Sequence, residues 1–315
     1  MQDLNQLPLH ELLSALSIND SVGRLLAIAA EEDLGAGGIP GDVTTQCSIP
    51  PARLARGTII VKEDGGGVLS GNFILGQVLA ILAADGQVSY HAQDGDRIRA
   101  GQTVATLDAP MYQVLRAERL MLNLLGRMSG IATRTAQFVD KLKGTGAKLL
   151  DTRKTTPGLR ALEKYAVRCG GGHLHRIGLH DAVLFKDNHI VGVAPQDLSA
   201  WVAKAADKAR RTADIQGEPL KFVELEVDTL EQLEAILKSG AKGLDIILLD
   251  NMDVPTLRKA VAMRAEHLST VRFEASGGVT LDTIRAIAET GVDLISVGRL
   301  THHAVSLDFS MDISE

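Results

Sequence analysis

Apolar residues fall at helical spacing along Ser21–Leu34 (SVGRLLAIAAEEDL), and the Gly-Ala-Gly-Gly that follows predicts where that helix stops. From Ala52 to Leu107 the period shortens. The runs GTIIV, QVSYHA, RIRAG and TVATL read as strands separated by Gly-Asp turns, with one helix predicted over Asn72–Ala84. This is the texture of a small α+β unit. A long helical pattern then occupies Met111–Leu142, and a break into two pieces is predicted at Ser129-Gly130. Beyond it the rhythm is β-α-β-α. KLLDT, AVLFK, FVELEV, DIILLD, VRFEA and LISVG are strand-like, and helices are predicted over Pro157–Cys169, Leu198–Arg211, Thr229–Ser239, Val254–His267 and Leu281–Thr290. These strands are nearly unbroken apolar runs, as expected for parallel strands covered on both faces. Six of them alternating with helices predict a parallel α/β barrel or an open sheet.

Composition narrows the function classes. The chain has 315 residues, 45% of them hydrophobic and 23% charged, which is enough core for one large domain or two ordinary ones. Aromatic residues are 3% and the net charge is -6, so neither stacking platforms nor global charge favours nucleic acid as a partner. Cys47 and Cys169 stand alone and far apart, too few for a disulfide framework or a cysteine-based zinc site. The start, MQDLNQLPLHELL, lacks the basic and apolar blocks of a signal peptide, and the longest weakly polar stretch, Phe73 to Ala84, is short for a bilayer. A cytoplasmic protein without a membrane partner is expected.

In parallel α/β folds the chemistry gathers where strands end. Here KLLDT leads to Arg153-Lys154 and AVLFK ends at Lys186, followed by Asp187-Asn188-His189. FVELEV carries Glu224 and Glu226, and DIILLD ends at Asp250-Asn251. VRFEA leads to Ser276-Gly277-Gly278, and LISVG to Gly298-Arg299. A full ring of charged strand ends implies a polyanionic ligand. Between Asp151 and Ile190 there are seven Lys/Arg against four Asp/Glu, a local +3. Arg160, Lys164 and Arg168 read as the solvated face of a helix. Arg153, Lys154, Arg176 and Lys186 have no such explanation and suit carboxylate or phosphate. His173, His175 and His180 raise the question of zinc, but no cysteine or carboxylate is spaced to complete the set, so an anion-binding His175 beside Arg176 is expected. Glu-Ala-Ser-Gly-Gly-Val at 274–279, with Gly298 after the next strand, reads as a phosphate cradle of backbone N–H groups backed by a helix N-terminus. Glu226 and Asp250 are either surface acids or ligands for ribose hydroxyls and Mg²⁺.

Several segments together resemble one family. They are AEEDLG (30–35) with GDVTT (41–45), Glu118-Arg119 through Asn123, SGIAT (129–133), DTRKTTPG (151–158), His173–Arg176, KDNH (186–189), ELEV (224–227), LDN (249–251) and ASGG (275–278). The chain is similar along most of its length to the quinolinate phosphoribosyltransferases, the carboxylating nicotinate-nucleotide pyrophosphorylases. That resemblance implies an N-terminal α/β sandwich domain, residues 1–112, and an incomplete α/β barrel with parallel strands, residues 113–303, with the tail 304–315 a candidate to return to the first domain. It implies transfer of phosphoribosyl from phosphoribosyl pyrophosphate to quinolinate with decarboxylation, in NAD biosynthesis, using Mg²⁺ and no organic cofactor. It also implies a homodimer in which Arg119 completes the neighbouring site. By the same resemblance Arg153, His175 and Arg176 bind the carboxylates of quinolinate, with Lys186 beside them. Lys154 lies near the reacting centre and the diphosphate. Glu226 and Asp250 serve the ribose and its Mg²⁺, and Ser276, Gly277, Gly278 and Gly298 cradle the 5-phosphate. One departure is His303, where relatives commonly carry serine.

Three rival readings stay open. A related phosphoribosyltransferase could act on another base. A barrel aldolase could use Lys186 as a Schiff-base nucleophile. GDRIRAGQTVATLDA is similar to half of a lipoyl-type carrier, although the half bearing a lysine at a hairpin tip is missing.

Overall fold

The computed structural model describes residues 3–39, 41–82 and 86–315. The chain forms two compact units that interleave in sequence. One comprises Leu4–Ala136, Lys154–Gly171 and Arg299–Glu315; the other, Gln137–Arg153 and Gly172–Gly298 with Asp3.

The first unit is built on a four-stranded antiparallel sheet, in the order Phe309–Ser314, Leu54–Val61, Thr103–Pro110, Gln87–Tyr90. The C-terminal tail thus returns as an edge strand, paired from Arg56 to Val61. Ala55, Ile59 and Val61 alternate inward along their strand, the period-two pattern of a sheet with one buried face. The helix Ser21–Leu34 ends at Gly35, whose positive φ an L side chain resists. The helix Asn72–Leu82 buries Ile74, Leu75, Val78, Leu79 and Leu82. Its predicted end at Ala84 lies outside the described residues.

Two helix predictions need correction. Met111–Leu142 is one continuous helix, without a break at Ser129-Gly130. Gly130 is there because the segment Val305–Leu307 passes against the helix: a Cβ at Gly130 would collide with the Val305 carbonyl oxygen, and Leu307 N–H donates to the Gly126 carbonyl (3.0 Å). Ser129 Oγ is turned to the Ser70 backbone, accepting from its N–H at 3.0 Å. The second correction concerns Arg160–Cys169, which starts three residues later than predicted because Gly158 takes a positive φ of 82°. This helix has no solvated face of Arg160, Lys164 and Arg168. Glu163 and Lys164 are buried, at 1% and 0% exposure.

The second unit holds six parallel strands: Lys148–Leu150, Val183–Phe185, Val223–Val227, Ile246–Asp250, Arg272–Ser276 and Leu294–Ser296. Numbered one to six along the chain, they lie in the order one, six, five, four, three, two. A further parallel bridge joins Leu150 to His173 at the outer edge of strand one. All five residues of strand three are buried, with Glu224 and Glu226 on one face and Val223, Leu225 and Val227 on the other. The helices between carry their own punctuation. Pro195–Gln216 begins with Pro at its first position and ends at Gly217, with φ of 70°; these signals make it longer than the predicted Leu198–Arg211. Thr229 caps Leu230–Lys238 through a reciprocal pair with Gln232, and Asp253 caps Val254–Glu266. The helix between strands five and six is only Ile284–Ala288, and the one after Gly298 is the single turn Arg299–His302, so no long helix follows the glycine cradle directly.

Candidate active site

Strand one hands the chain to Asp151, which is fully buried and accepts the His175 backbone N–H at 2.8 Å. Asp181 closes the other end of that loop, taking the N–H groups of Ile177 and Gly178 (2.8 Å each) and the Lys221 ammonium (2.9 Å). Held at both ends, the loop keeps Arg176 buried at 8% exposure, with a long 3.5 Å contact to the Ala182 carbonyl. Burial, and next the like charge of Arg153, push the Arg176 guanidinium below its ordinary range. Among the described residues nothing accepts a hydrogen bond from the buried Nε of Arg153. Two cations within electrostatic reach of one another, one with an unmatched donor, are electrostatically incomplete, and an anion is the complement.

The same loop carries His175 to a pair of buried acids. His175 Nε2 is 3.0 Å from Glu224 and 3.3 Å from Glu274, both fully buried. Strand four separates the strands carrying these glutamates, so both side chains rise from the same face of the sheet and converge over strand four on one imidazole. Burial alone would lower the imidazole pKa, but Glu274 and Glu224 together lift it to about 10. Glu224 is raised by burial and then by the Glu274 charge. Here the sequence reading is amended. His175 Nε2 is committed to the protein's own carboxylates, leaving Nδ1 as the ring atom for an incoming anion. The acidic partners also differ from the histidines first considered for zinc: the described cluster with metal-ligand spacing is His175, Glu224 and Glu274. His175 is hydrogen-bonded to Glu224 and ion-paired at 3.3 Å with Glu274, so an imidazolium already supplies the cation.

A second group surrounds Lys186. Its ammonium lies 2.6 Å from Glu226, and its backbone N–H donates to His189 Nδ1 at 2.9 Å, closing the turn Asp187–His189. Asp228 is raised by burial and by the charges of Asp250 and Asp187, with Lys186 offsetting part of this. Asp250 ends strand four in register with Ser276, and Asn251 ties the two strand ends together. Its amide donates to Asp250 (2.7 Å) and its backbone N–H to the Ser276 carbonyl (2.9 Å), from a left-handed φ of 51°. Gly277 and Gly278 both have positive φ, and a Cβ on Gly277 would collide with the Asn251 side chain. Only glycine fits there. Gly298 follows strand six, beside strand five. Glu226 and Asp250 end neighbouring strands and offer the carboxylate oxygens that a hard divalent cation takes, although among the described residues they are not gathered with a third acid at ligand spacing.

The structure therefore gathers Arg153 with Arg176, His175 with Glu224 and Glu274, and Lys186 with Glu226, while Asp250 adjoins Ser276 and Gly277. Arg119 and Lys154 belong to the other unit, both exposed. Asp181, Glu274, Asp228 and Asn251 were given no role from sequence. Glu274 had a signal, since a charge inside a buried strand must find a partner.

Two family models match the chain. Quinolinate phosphoribosyl transferase, N-terminal domain, spans residues 42–129, and the C-terminal domain of the same family spans 131–312. A nicotinate-nucleotide pyrophosphorylase [carboxylating] from Mycobacterium leprae is 43% identical over 287 residues, covering 90% of this chain and 94% of the relative. A probable nicotinate-nucleotide pyrophosphorylase [carboxylating] from Bacillus subtilis is 40% identical over 283 residues, covering 90% of each. The solved nicotinate-nucleotide pyrophosphorylase from Francisella tularensis superposes with a TM-score of 0.81 at 34% identity and covers 100% of both chains. Matched across both domains and along nearly its whole length, this chain belongs to the quinolinate phosphoribosyltransferase family.

Proposed function

We propose that this chain transfers the phosphoribosyl group of phosphoribosyl pyrophosphate to quinolinate, releasing pyrophosphate and carbon dioxide and leaving nicotinate mononucleotide. The carrying observation is a buried Arg176 within the electrostatic reach of Arg153, whose own buried Nε has no acceptor among the described residues. A doubly negative pyridine dicarboxylate answers that arrangement better than a monocarboxylate such as nicotinate. In this reading Arg153, Arg176 and His175 Nδ1 orient the ring, and Lys186, held by Glu226, stands beside it. Ser276, Gly277, Gly278 and Gly298 receive the 5-phosphate.

The pyridine nitrogen attacks the anomeric carbon of the ribose. A C–N bond forms as the C–O bond to pyrophosphate breaks, and the electron pair leaves with pyrophosphate. Glu226 and Asp250 face the positive charge developing on the sugar, and Lys154 stabilises the departing diphosphate. Mg²⁺ carried by the pyrophosphate, with Glu226, Asp250 and Asp228 as its protein oxygens, would neutralise leaving-group charge. Once alkylated, the ring nitrogen is cationic. The bond to the adjacent carboxylate then breaks, carbon dioxide departs, and the electron pair left on the ring carbon takes a proton. No step requires an organic cofactor.

A Schiff-base role for Lys186 is disfavoured by its 2.6 Å pairing with Glu226, which occupies the nitrogen that would have to attack a carbonyl. Arg119, exposed on the long helix, is assigned to the neighbouring site of a homodimer. The reaction is placed in the cytoplasm, in keeping with two free cysteines; no single described helix is long and apolar enough to cross a membrane. Incubation with quinolinate, phosphoribosyl pyrophosphate and Mg²⁺ should release carbon dioxide and form a mononucleotide. Equal turnover of nicotinate, or a product that keeps both carboxylates, would reject the reading.

A further inference from the structure

We infer that Thr301, Arg127 and Glu163 are positioning residues that brace the backbone carrying Lys154. The inference rests on the role proposed for Lys154 above, but the observations come from a different part of the molecule. Lys154 is exposed, yet each residue of Lys154-Thr155-Thr156 is tied down. The Lys154 carbonyl accepts the Thr301 hydroxyl at 2.6 Å. The Thr155 hydroxyl accepts Arg160 Nε at 3.0 Å. Thr156 gives its N–H to Glu163 Oε2 at 3.0 Å and its hydroxyl to Oε1 at 2.9 Å.

These anchors are themselves joined. Glu163 Oε1 takes Arg127 Nη2 at 2.7 Å, and the same guanidinium donates to the carbonyls of Thr301 (2.8 Å) and Ala304 (2.9 Å). Glu163 and Thr301 are each 1% exposed, so the charge pair and the hydroxyl act in a medium where hydrogen bonds hold firmly and are costly to lose. The run Lys-Thr-Thr is thus an exposed lysine on a backbone fixed from beneath. Fixing the root of a long flexible side chain narrows the space its tip can reach, which lowers the cost of presenting the ammonium to a phosphate. The network also explains the unexpected burial of the helix Arg160–Cys169, whose first turns supply two of the anchors.

Removing Arg127 or Glu163 would orphan a buried charge and endanger the fold, so Thr301 is the residue to change. Thr301→Val keeps the shape and deletes only the hydroxyl that reaches Lys154. Its kcat should fall about tenfold with the KM for quinolinate unchanged, and amide exchange across 154–158 should accelerate. Thr301→Ser, which keeps the hydroxyl, should restore both. In the Lys154→Ala background Thr301→Val should cost little more, because both changes remove one function. Wild-type kcat in Thr301→Val, a Ser variant as impaired as Val, or full additivity with Lys154→Ala would overturn the brace. If the unaltered protein forms no mononucleotide, the proposed reaction falls instead. The exchange comparison then decides the brace alone, and unchanged exchange in Thr301→Val rejects it.

Discussion

At the scale of single residues the site is a problem in charge placement. Arg153 and Arg176 repel, while His175 is overmatched by two carboxylates, and both imbalances are fixed by burial. The His175 pKa, raised to about 10, predicts that in the ligand-free protein its ring carries a proton throughout the neutral range. Its imidazole resonances should not titrate between about pH 6 and about pH 9, where a free histidine would pass through its midpoint. The sign for stability follows. A raised folded-state pKa gives a contribution fully present below the ordinary imidazole value and lost as pH rises toward about 10. A midpoint near neutrality in the ring spectrum would refute the pairing with Glu224 and Glu274. For Arg153 the expectation is kinetic. Arg153→Ala should raise the KM for quinolinate at least about tenfold, since charge-assisted bonds to a carboxylate are lost, while the melting temperature stays close to wild type. An unchanged KM would remove Arg153 from the site.

Secondary-structure elements were the most legible level. The six parallel strands announced themselves as apolar runs because both of their faces are covered, and the ring of polar strand ends could be read directly from where each run stopped. What could not be read was which polar residue meets which. Lys186 and Glu226 lie forty residues apart, and His175 and Glu224 forty-nine; those pairings depend on strand order and register, which periodicity does not encode. Lys164 was misjudged for the same reason, since a charged residue on a helix looks solvated until the surroundings are known. Gly130 is the sharpest case. A glycine in a helical pattern carries one signal for two causes, a break or a close approach, and here it is the approach of Val305. This gives a prediction with an inverted sign. In an ordinary helix interior Gly→Ala stabilises by up to about 1 kcal/mol. Gly130→Ala should instead destabilise by about 1–3 kcal/mol, as overpacking does, with a lower urea midpoint at unchanged m-value. A raised midpoint would show that the strap yields freely.

For the whole molecule, the remaining question is how an exposed arginine on the long helix serves a site built from barrel strands. Arg119 is exposed, and the proposal gives it to a second copy of the chain. Two-fold symmetry makes that assignment testable without any further structure, because each subunit would both lend and borrow. An Arg119→Ala chain keeps its own Arg153, and an Arg153→Ala chain keeps an Arg119 to lend. Alone, each variant has the same defect at both sites. In a hybrid dimer one site receives both lesions and the other receives none. Random exchange of subunits makes half the dimers hybrid, so at quinolinate concentrations too low to serve the variants, mixing the two impaired proteins in equal amounts should restore about a quarter of wild-type turnover. Recovery should require exchange, through mild denaturation and refolding or coexpression, and should depend on the mixing ratio with a maximum at equality. If Arg119 acted within its own subunit, no mixture could contain an intact site and activity would stay at the level of the separate variants. The measurement therefore distinguishes a shared site from a self-sufficient one, whatever the oligomer's size.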